Sequence, residues 1–253
     1  MTPREQLVVD LLKSIETGDA GPAAAIHPET YIQHNLAVGD GLAGFGAVLA
    51  ALPPGSARVN TVRVFEDGDF VFAHTDYNFF GPKIGFDIFR FAEDKIVEHW
   101  DNLQETAPPN PSGHSMIDGP TQATDLGKTA QNKALVVGFI DDILIKGRME
   151  KLSGYFDGDD YVQHNPNIAD GLSGLGAALE AMAAAGLQMT YTRTHRILGK
   201  GDFVLAVSEG SFAGTPSAFY DLFRVKDGKI AEHWDTIEAI PPATEWKNAN
   251  GKF

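Results

Sequence analysis

The chain contains no cysteine. Disulfide frameworks, thiolate nucleophiles and cysteine-ligated zinc are therefore excluded. No apolar run approaches the ~18 residues that a membrane-spanning helix needs. Basic residues are scarce: 20 Lys and Arg stand against 34 Asp and Glu, a net charge of −14. That balance opposes binding to nucleic acid and to anionic membrane surfaces. Tight catalytic motifs are missing as well. There is no His-Glu-x-x-His metal motif and no Gly-x-Ser-x-Gly elbow. Gly39-Asp40-Gly41, with Gly44 and Gly46 after it, lacks the Lys-Ser/Thr that completes a phosphate loop. The segment Met1-Thr2-Pro3-Arg4-Glu5 carries no apolar signal-peptide core, so a soluble cytoplasmic protein is the expectation.

What the chain does contain, it contains twice. Tyr31-Ile32-Gln33-His34-Asn35 returns as Tyr161-Val162-Gln163-His164-Asn165, and Asp40-Gly41-Leu42 as Asp170-Gly171-Leu172. Further on, Asp87-Ile88-Phe89-Arg90 returns as Asp221-Leu222-Phe223-Arg224, and Ile96-Val97-Glu98-His99-Trp100-Asp101 as Ile230-Ala231-Glu232-His233-Trp234-Asp235. The offset grows from 130 to 134 residues between the first and last blocks. A period this long marks a duplicated domain, not a solenoid with its ~20–50-residue units. With 253 residues and 43% apolar content there is material for two cores. We place the domains at 1–118 and 119–253. The Pro/Gly-rich stretch from about 106 is a linker arm, echoed at the end of the second copy, where Pro108-Pro109 recurs as Pro241-Pro242.

Within each copy the period changes from helix to strand. Thr2-Pro3-Arg4-Glu5 opens a helix, with Leu7, Val8, Leu11, Leu12 and Ile15 at helical spacing and Gly18 ending it. A short helix over Pro22–Ile26 follows, then an extended Tyr31–Asn35. A third helix runs from Asp40-Gly41 to Leu52 and is stopped by Pro53-Pro54-Gly55. Four strands succeed it: Val59–Glu66, Phe70–Phe79, Gly85–Phe91 and Lys95–Leu103. The second copy repeats the order, with helices at 125–146, 148–156 and 171–184 and strands from 188 to 238. Helices followed by an antiparallel meander define an α+β domain.

The last hairpin carries the candidate chemistry. Side chains alternate along a strand, so His99 and Asp101 share one face and Glu98 and Trp100 the other. A two-residue turn at 93–94 pairs Asp87 with Trp100. Only a bulge brings Asp87 and Asp101 into one pocket, and the face that lines a cavity stays open. A carboxylate in an apolar pocket with a histidine nearby suits proton abstraction. The groups at issue are Asp87, His99 and Asp101, with Asp221, His233 and Asp235 in the second copy. His34 and His164 are acid/base or hydrogen-bonding candidates. Tyr31 and Tyr161 can donate to an oxyanion or simply pack. Trp100 and Trp234 are candidates for ligand contact, against the plainer role of core or interface side chains. His34, His99 and Asp101 together form a two-histidine, one-carboxylate set, but without a tight ligand motif no metal is expected.

The blocks Tyr-x-Gln-His-Asn…Asp-Gly and Asp-x-Phe-Arg…Ile-x-Glu-His-Trp-Asp resemble the SnoaL-like (polyketide cyclase-like) branch of the NTF2-like superfamily. The Gly-Lys-Ile lead-in of the second copy reads Asp94-Lys95-Ile96 in the first. The resemblance implies two tandem α+β cones, each with three helices on a bent antiparallel sheet, forming a fused pseudo-dimer, with further oligomerisation open. It also implies cofactor-free chemistry on a small apolar carbonyl compound, of the aldol cyclase, isomerase or dehydratase type. The base then falls on Asp101 and Asp235, or on Asp87 and Asp221, with His34 and His164 as donors. The same fold serves non-catalytic small-molecule binding, the alternative reading. The expected partner is a small-molecule ligand, with no cofactor, no nucleic acid and no membrane.

Overall fold

Thr2 and Glu5 start the first helix, α1 (Pro3–Thr17), through a reciprocal capping box, with Pro3 in the first turn. Gly18 ends it at φ +71°. Val8, Leu11 and Leu12 point from α1 into a core shared with Val59, Val71, Phe89, Phe91 and Ile96. Burying each leucine stabilises by about 1.5–3 kcal/mol. In this computed structural model, residues 1–53 and 55–253 are described, so Pro54 of the expected helix stop lies outside the described residues.

After a 3₁₀ turn (Gly21–Ala25), a short strand β1 (Ile32–Gln33) leads to helix α2 (Gly41–Ala51). Four longer strands follow: β2 (Arg58–Asp67), β3 (Phe70–Asn78), β4 (Pro82–Ala92) and β5 (Lys95–Glu105). They form one sheet in the order β1-β5-β4-β3-β2. The meander is antiparallel as read, but the extended Tyr31–Asn35 segment adds a fifth strand, parallel to β5, with Gln33 opposite His99. The sheet is thus mixed.

The second half repeats this plan. Helix α3 (Thr129–Phe139) widens into a π-helical turn over Ile140–Ile145, where a single long helix to residue 146 was expected. Then come β6 (Val162–Gln163), α4 (Gly171–Ala184), β7 (Met189–Lys200), β8 (Phe203–Phe212), β9 (Thr215–Lys226) and β10 (Lys229–Ala239). Their order, β6-β10-β9-β8-β7, is the order of the first sheet.

Two compact units result, each α+β, but their limits differ from a cut at 118/119. The first unit is Met1–Thr106 together with Ile240–Phe253, and the second is Ala107–Ala239. The arm that follows β5 therefore belongs with the second sheet, and the C-terminal arm with the first. Both arms use the same contacts. Asn110 Nδ2 donates to the carbonyls of Gln163 and Ile168, at 2.6 and 2.9 Å. In the first unit, Asn250 Nδ2 donates to the Gln33 carbonyl at 2.9 Å and Asn248 Nδ2 to that of Val38 at 3.0 Å. No helix among the described residues is long and apolar enough to cross a membrane.

Candidate functional site

Glu93 and Asp94, both at positive φ, form the two-residue turn between β4 and β5. Next to it Phe91 pairs with Ile96, as the turn dictates, but Arg90 then pairs with Glu98. Val97 is the extra residue of a β-bulge. Beyond it the register moves by one, so Asp87 lies opposite Asp101 and Phe89 opposite His99. The pairing of Asp87 with Trp100 read from the turn alone is thereby overturned, because a bulge inserts a residue that alternation cannot count. Ala231 plays the same part in β10, and Asp221 lies opposite Asp235.

In the first unit, Asp87, His99 and Asp101 line a cavity of about 90 Å³, together with Tyr31, Gln33 and Tyr77. Apolar side chains, among them Leu11, Leu12, Phe45 and Phe89, make up much of the remaining wall. The polar groups form a chain. Asn35 N–H donates to Gln33 Oε1 at 2.8 Å, which fixes the orientation of that amide. Gln33 Oε1 then accepts from His99 Nδ1 at 3.0 Å. His99 Nε2 faces Asp87 Oδ1 at 3.2 Å, and Tyr77 donates its hydroxyl to Asp87 Oδ2 at 2.8 Å. With Nδ1 committed as a donor, one further proton is shared between His99 Nε2 and Asp87. Burial raises the Asp87 carboxyl above its usual range, although His99 and Tyr77 counteract it. His99 also stacks on Phe89, with ring centroids 4.5 Å apart.

Asp101 is buried alongside. Asn35 donates to its Oδ2 at 2.6 Å, while its Oδ1 has no hydrogen-bond partner. Lys252 Nζ of the C-terminal arm lies 3.7 Å from that Oδ1.

The second unit builds the same chain. Gln163 Oε1 accepts from Asn165 N–H and from His233 Nδ1, each at 2.9 Å, and His233 Nε2 faces Asp221 Oδ1 at 3.0 Å. Asn165 donates to Asp235 Oδ2 at 2.7 Å, and Asp235 Oδ1 has no hydrogen-bond partner. Burial raises Asp235 above the usual carboxyl range. Burial opposes a charged His233, but the Asp221 hydrogen bond and the charges of Asp235 and Asp221 prevail and raise it.

The phenol is supplied differently. Tyr191, on β7, reaches both oxygens of Asp221 at 3.3 Å. Tyr77 lies on β3, opposite Val59 of β2, whereas Tyr191 of β7 lies opposite Gly210 of β8. The tyrosine has thus moved across to the neighbouring strand while its hydroxyl still meets the same carboxylate. Neither tyrosine was singled out from the sequence, because the duplication does not repeat them. Their signal was only their parity on β3 and β7. The surrounding packing changes with them: Tyr77 covers Gly85, where a Cβ would lie 2.4 Å from its ring, and Tyr191 stacks on Phe219 at 4.3 Å.

His34 and His164 are not part of these chains. They lie with Glu98 and Trp100, or Glu232 and Trp234, on the opposite face of the strands. His34 Nε2 bonds Glu98 Oε1 at 2.9 Å, its Nδ1 bonds the Gly251 carbonyl at 2.9 Å, and its ring stacks on Trp100 at 4.7 Å. His164 matches it with Glu232 at 2.8 Å, the Ser115 carbonyl at 2.8 Å and Trp234 at 4.6 Å. Arg90 and Arg224 hold the two glutamates from the other side. Burial works against ionised Glu232, but His164 and Arg224 outweigh it and hold the carboxyl below its usual range. Of the candidate aromatics, Tyr31 lines the cavity, and Trp100 is absent from its wall. Tyr161 accepts from Gln163 Nε2 at 3.2 Å within the second core.

The conceived metal set of His34, His99 and Asp101 is therefore divided between two faces. Donor atoms within 4.8 Å of one another do occur in Asp87, His99 and Asp101 and in their copies. There the histidine and first aspartate are spent on each other, and Lys252 competes with a cation at Asp101.

In the second unit, residues 136–233 match the family model of the SnoaL-like domain. Three solved structures similar to the chain have TM-scores below 0.5. An LEH-like epoxide hydrolase of M. tuberculosis is 22% identical, with a TM-score of 0.35, over 44% of this chain and 85% of its own. IdmH of Streptomyces antibioticus, provisionally assigned as a polyketide cyclase, is 23% identical, with a TM-score of 0.33, over 43% and 92%. An NTF2-like protein of Burkholderia xenovorans LB400 is 18% identical, with a TM-score of 0.35, over 44% and 91%. No curated protein matches the chain.

Proposed function

We propose that the protein is a general acid/base enzyme that needs no cofactor and acts on a small, largely apolar carbonyl compound, as an aldol-type cyclase, isomerase or dehydratase. One observation carries this reading. Both units assemble the same tyrosine–aspartate–histidine–glutamine chain beside a second buried aspartate with a vacant oxygen, although the tyrosine comes from different strands. The tyrosine comes from β3 in one unit and β7 in the other, so the pairing of phenol and carboxylate is restored in space and is not a copy carried along by the duplication.

Asp101 and Asp235 are the bases in this proposal. The substrate's α C–H bond breaks, its proton goes to Oδ1, and the electron pair moves onto the carbonyl oxygen as an enolate. The proton shared between Asp87 and His99, or Asp221 and His233, then neutralises that oxygen. Burial raises Asp235 and Asp87 towards the range where a carboxyl exchanges protons near neutrality. The cavity of about 90 Å³, walled by apolar side chains around the carboxylates, receives the reacting end of a small substrate.

Deuterium uptake from D₂O into the α positions of a panel of small cyclic ketones, followed by proton NMR, tests the proposal. The wild type is expected to exchange them. Asp101→Asn and Asp235→Asn each reduce the rate, and the double variant abolishes it. Undiminished exchange in the double variant refutes the assignment. Ketones that bind but never exchange define a binding protein instead.

A further inference from the structure

The arm that closes the second unit brings His114 and Asp118 to His164. His114 Nε2 is tied to Asp170 Oδ2 at 3.2 Å, and its Nδ1 turns towards Asp118 Oδ2 at 3.5 Å. His164 Nε2 is tied to Glu232 Oε1 at 2.8 Å, and its Nδ1 turns towards Asp118 Oδ1 at 2.6 Å. Each imidazole thus has one nitrogen held by a carboxylate and presents the other to a third carboxylate. This is the carboxylate–histidine–metal pattern, in which the outer carboxylate fixes the tautomer and leaves a lone pair for the ion.

Proton accounting points the same way. If His164 Nε2 donates to Glu232, its Nδ1 lone pair faces Asp118 Oδ1 and the Ser115 carbonyl, both acceptors, at 2.6 and 2.8 Å. That crowding of acceptors calls for positive charge. In the first unit His34 Nδ1 meets the Gly251 carbonyl at 2.9 Å, a contact that a single N–H satisfies. In the second unit a carboxylate and a second imidazole have been added at the same place.

We infer that His114, Asp118 and His164 form a binding site for one divalent transition-metal ion of the Zn²⁺ class, fastening the 107–118 arm to the second unit. Their donor atoms already lie within 4.8 Å of one another. Tetrahedral zinc with bonds near 2.0–2.1 Å holds its ligands roughly 3.3 Å apart, so small rotations complete the set. His114 and Asp118 are 33% and 45% exposed, which provides the freedom to adjust, an entry path and a fourth position for water. Two imidazoles and one carboxylate select zinc-like ions over Mg²⁺ or Ca²⁺, which prefer oxygen ligands throughout. The site lies on the face opposite the Asp221–His233 pair and is independent of the chemistry proposed there.

The test uses the full chain, purified without a histidine tag, stripped with chelator and titrated with Zn²⁺ by calorimetry. The expected result is one ion per chain, with His114→Ala and Asp118→Asn each weakening affinity by roughly 100-fold or more, since each removes a ligand, not merely an outer partner worth 10–100-fold. Both replaced side chains are substantially exposed, so the variants keep their fold. Co²⁺ in place of Zn²⁺ is expected to give the visible absorption of a low-coordinate nitrogen/oxygen site, and Zn²⁺ to slow amide exchange in residues 107–118 of the wild type alone. No stoichiometric binding at micromolar Zn²⁺ overturns the inference. So does binding that both substitutions leave intact, which marks an adventitious ion only.

Discussion

Removing one hydroxyl group tests the buried chain most sharply. Tyr77→Phe deletes the donor that meets Asp87 Oδ2 at 2.8 Å, in a phenol only 2% exposed. A hydrogen bond to a charged group contributes about 1.5–3 kcal/mol, and the oxygen left behind gains no water in exchange. We take ~2 kcal/mol for ionised Asp87, which at 1.36 kcal/mol per decade is a ~30-fold change in an opening equilibrium. The effect depends on pH. The folded Asp87 carboxyl is raised above its unfolded value by burial, and the Tyr77 bond is one of the interactions that limit the rise. A raised carboxyl leaves the folded state its full stability below the unfolded pKa and costs stability as pH climbs through the folded one. Losing Tyr77 raises that carboxyl further. The variant should therefore lose little at pH 4 and the full amount at pH 8. Hydrogen exchange read by mass spectrometry on peptides from β3 to β5 checks this locally, with β8 to β10 of the same molecule as control. A ~30-fold loss of protection at pH 8 that shrinks several-fold at low pH is expected. Equal losses at both pH values, or none, refute the carboxylate–phenol pairing.

Other predictions follow from the arms and from the second unit. Gly119 has φ +90°, and a Cβ there would lie 2.5 Å from Glu232 Oε1 and 2.9 Å from the Trp234 ring, whereas Gly113, at φ +91°, faces open space. Gly119→Ala is therefore expected to loosen the arm by about 2–4 kcal/mol and Gly113→Ala by only ~1 kcal/mol; limited proteolysis between residues 107 and 124 measures the difference, and equal cleavage counts against the close packing. Asp235→Asn removes a carboxyl whose raised folded pKa costs stability as pH rises from the unfolded value through the folded one. The variant should gain thermal stability relative to wild type on going from pH 4 to pH 8, and a gap that stays constant with pH contradicts the burial argument.

Much of the architecture was legible because it is local. The helix start at Thr2-Pro3-Arg4-Glu5, the stop at Gly18 and the two-residue turn at 93–94 depend on backbone groups a few residues apart. The duplicated blocks required two copies with one plan, and the two sheets share one strand order. Alternation along β5 also sorted His99 and Asp101 from Glu98 and Trp100 correctly.

What the sequence by itself determined, then, was the kinds of elements, their order, their repetition and the parity of each strand, all governed by interactions within a turn of helix or one step along a strand. Tertiary structure decided the rest, because long-range packing has no fixed spacing to read. The bulges at Val97 and Ala231 move each strand one residue past its neighbour, and only the competition of two faces for burial selects them. Tyr77 and Tyr191 reach equivalent carboxylates from adjacent strands, since a hydroxyl is positioned in space and not in sequence. His34 and His164 stand one residue from the inner network yet face the other way, held by Glu98 and Glu232. Each arm closes a unit it does not follow in its copy, because asparagine amides find the same carbonyls wherever the chain that carries them ends.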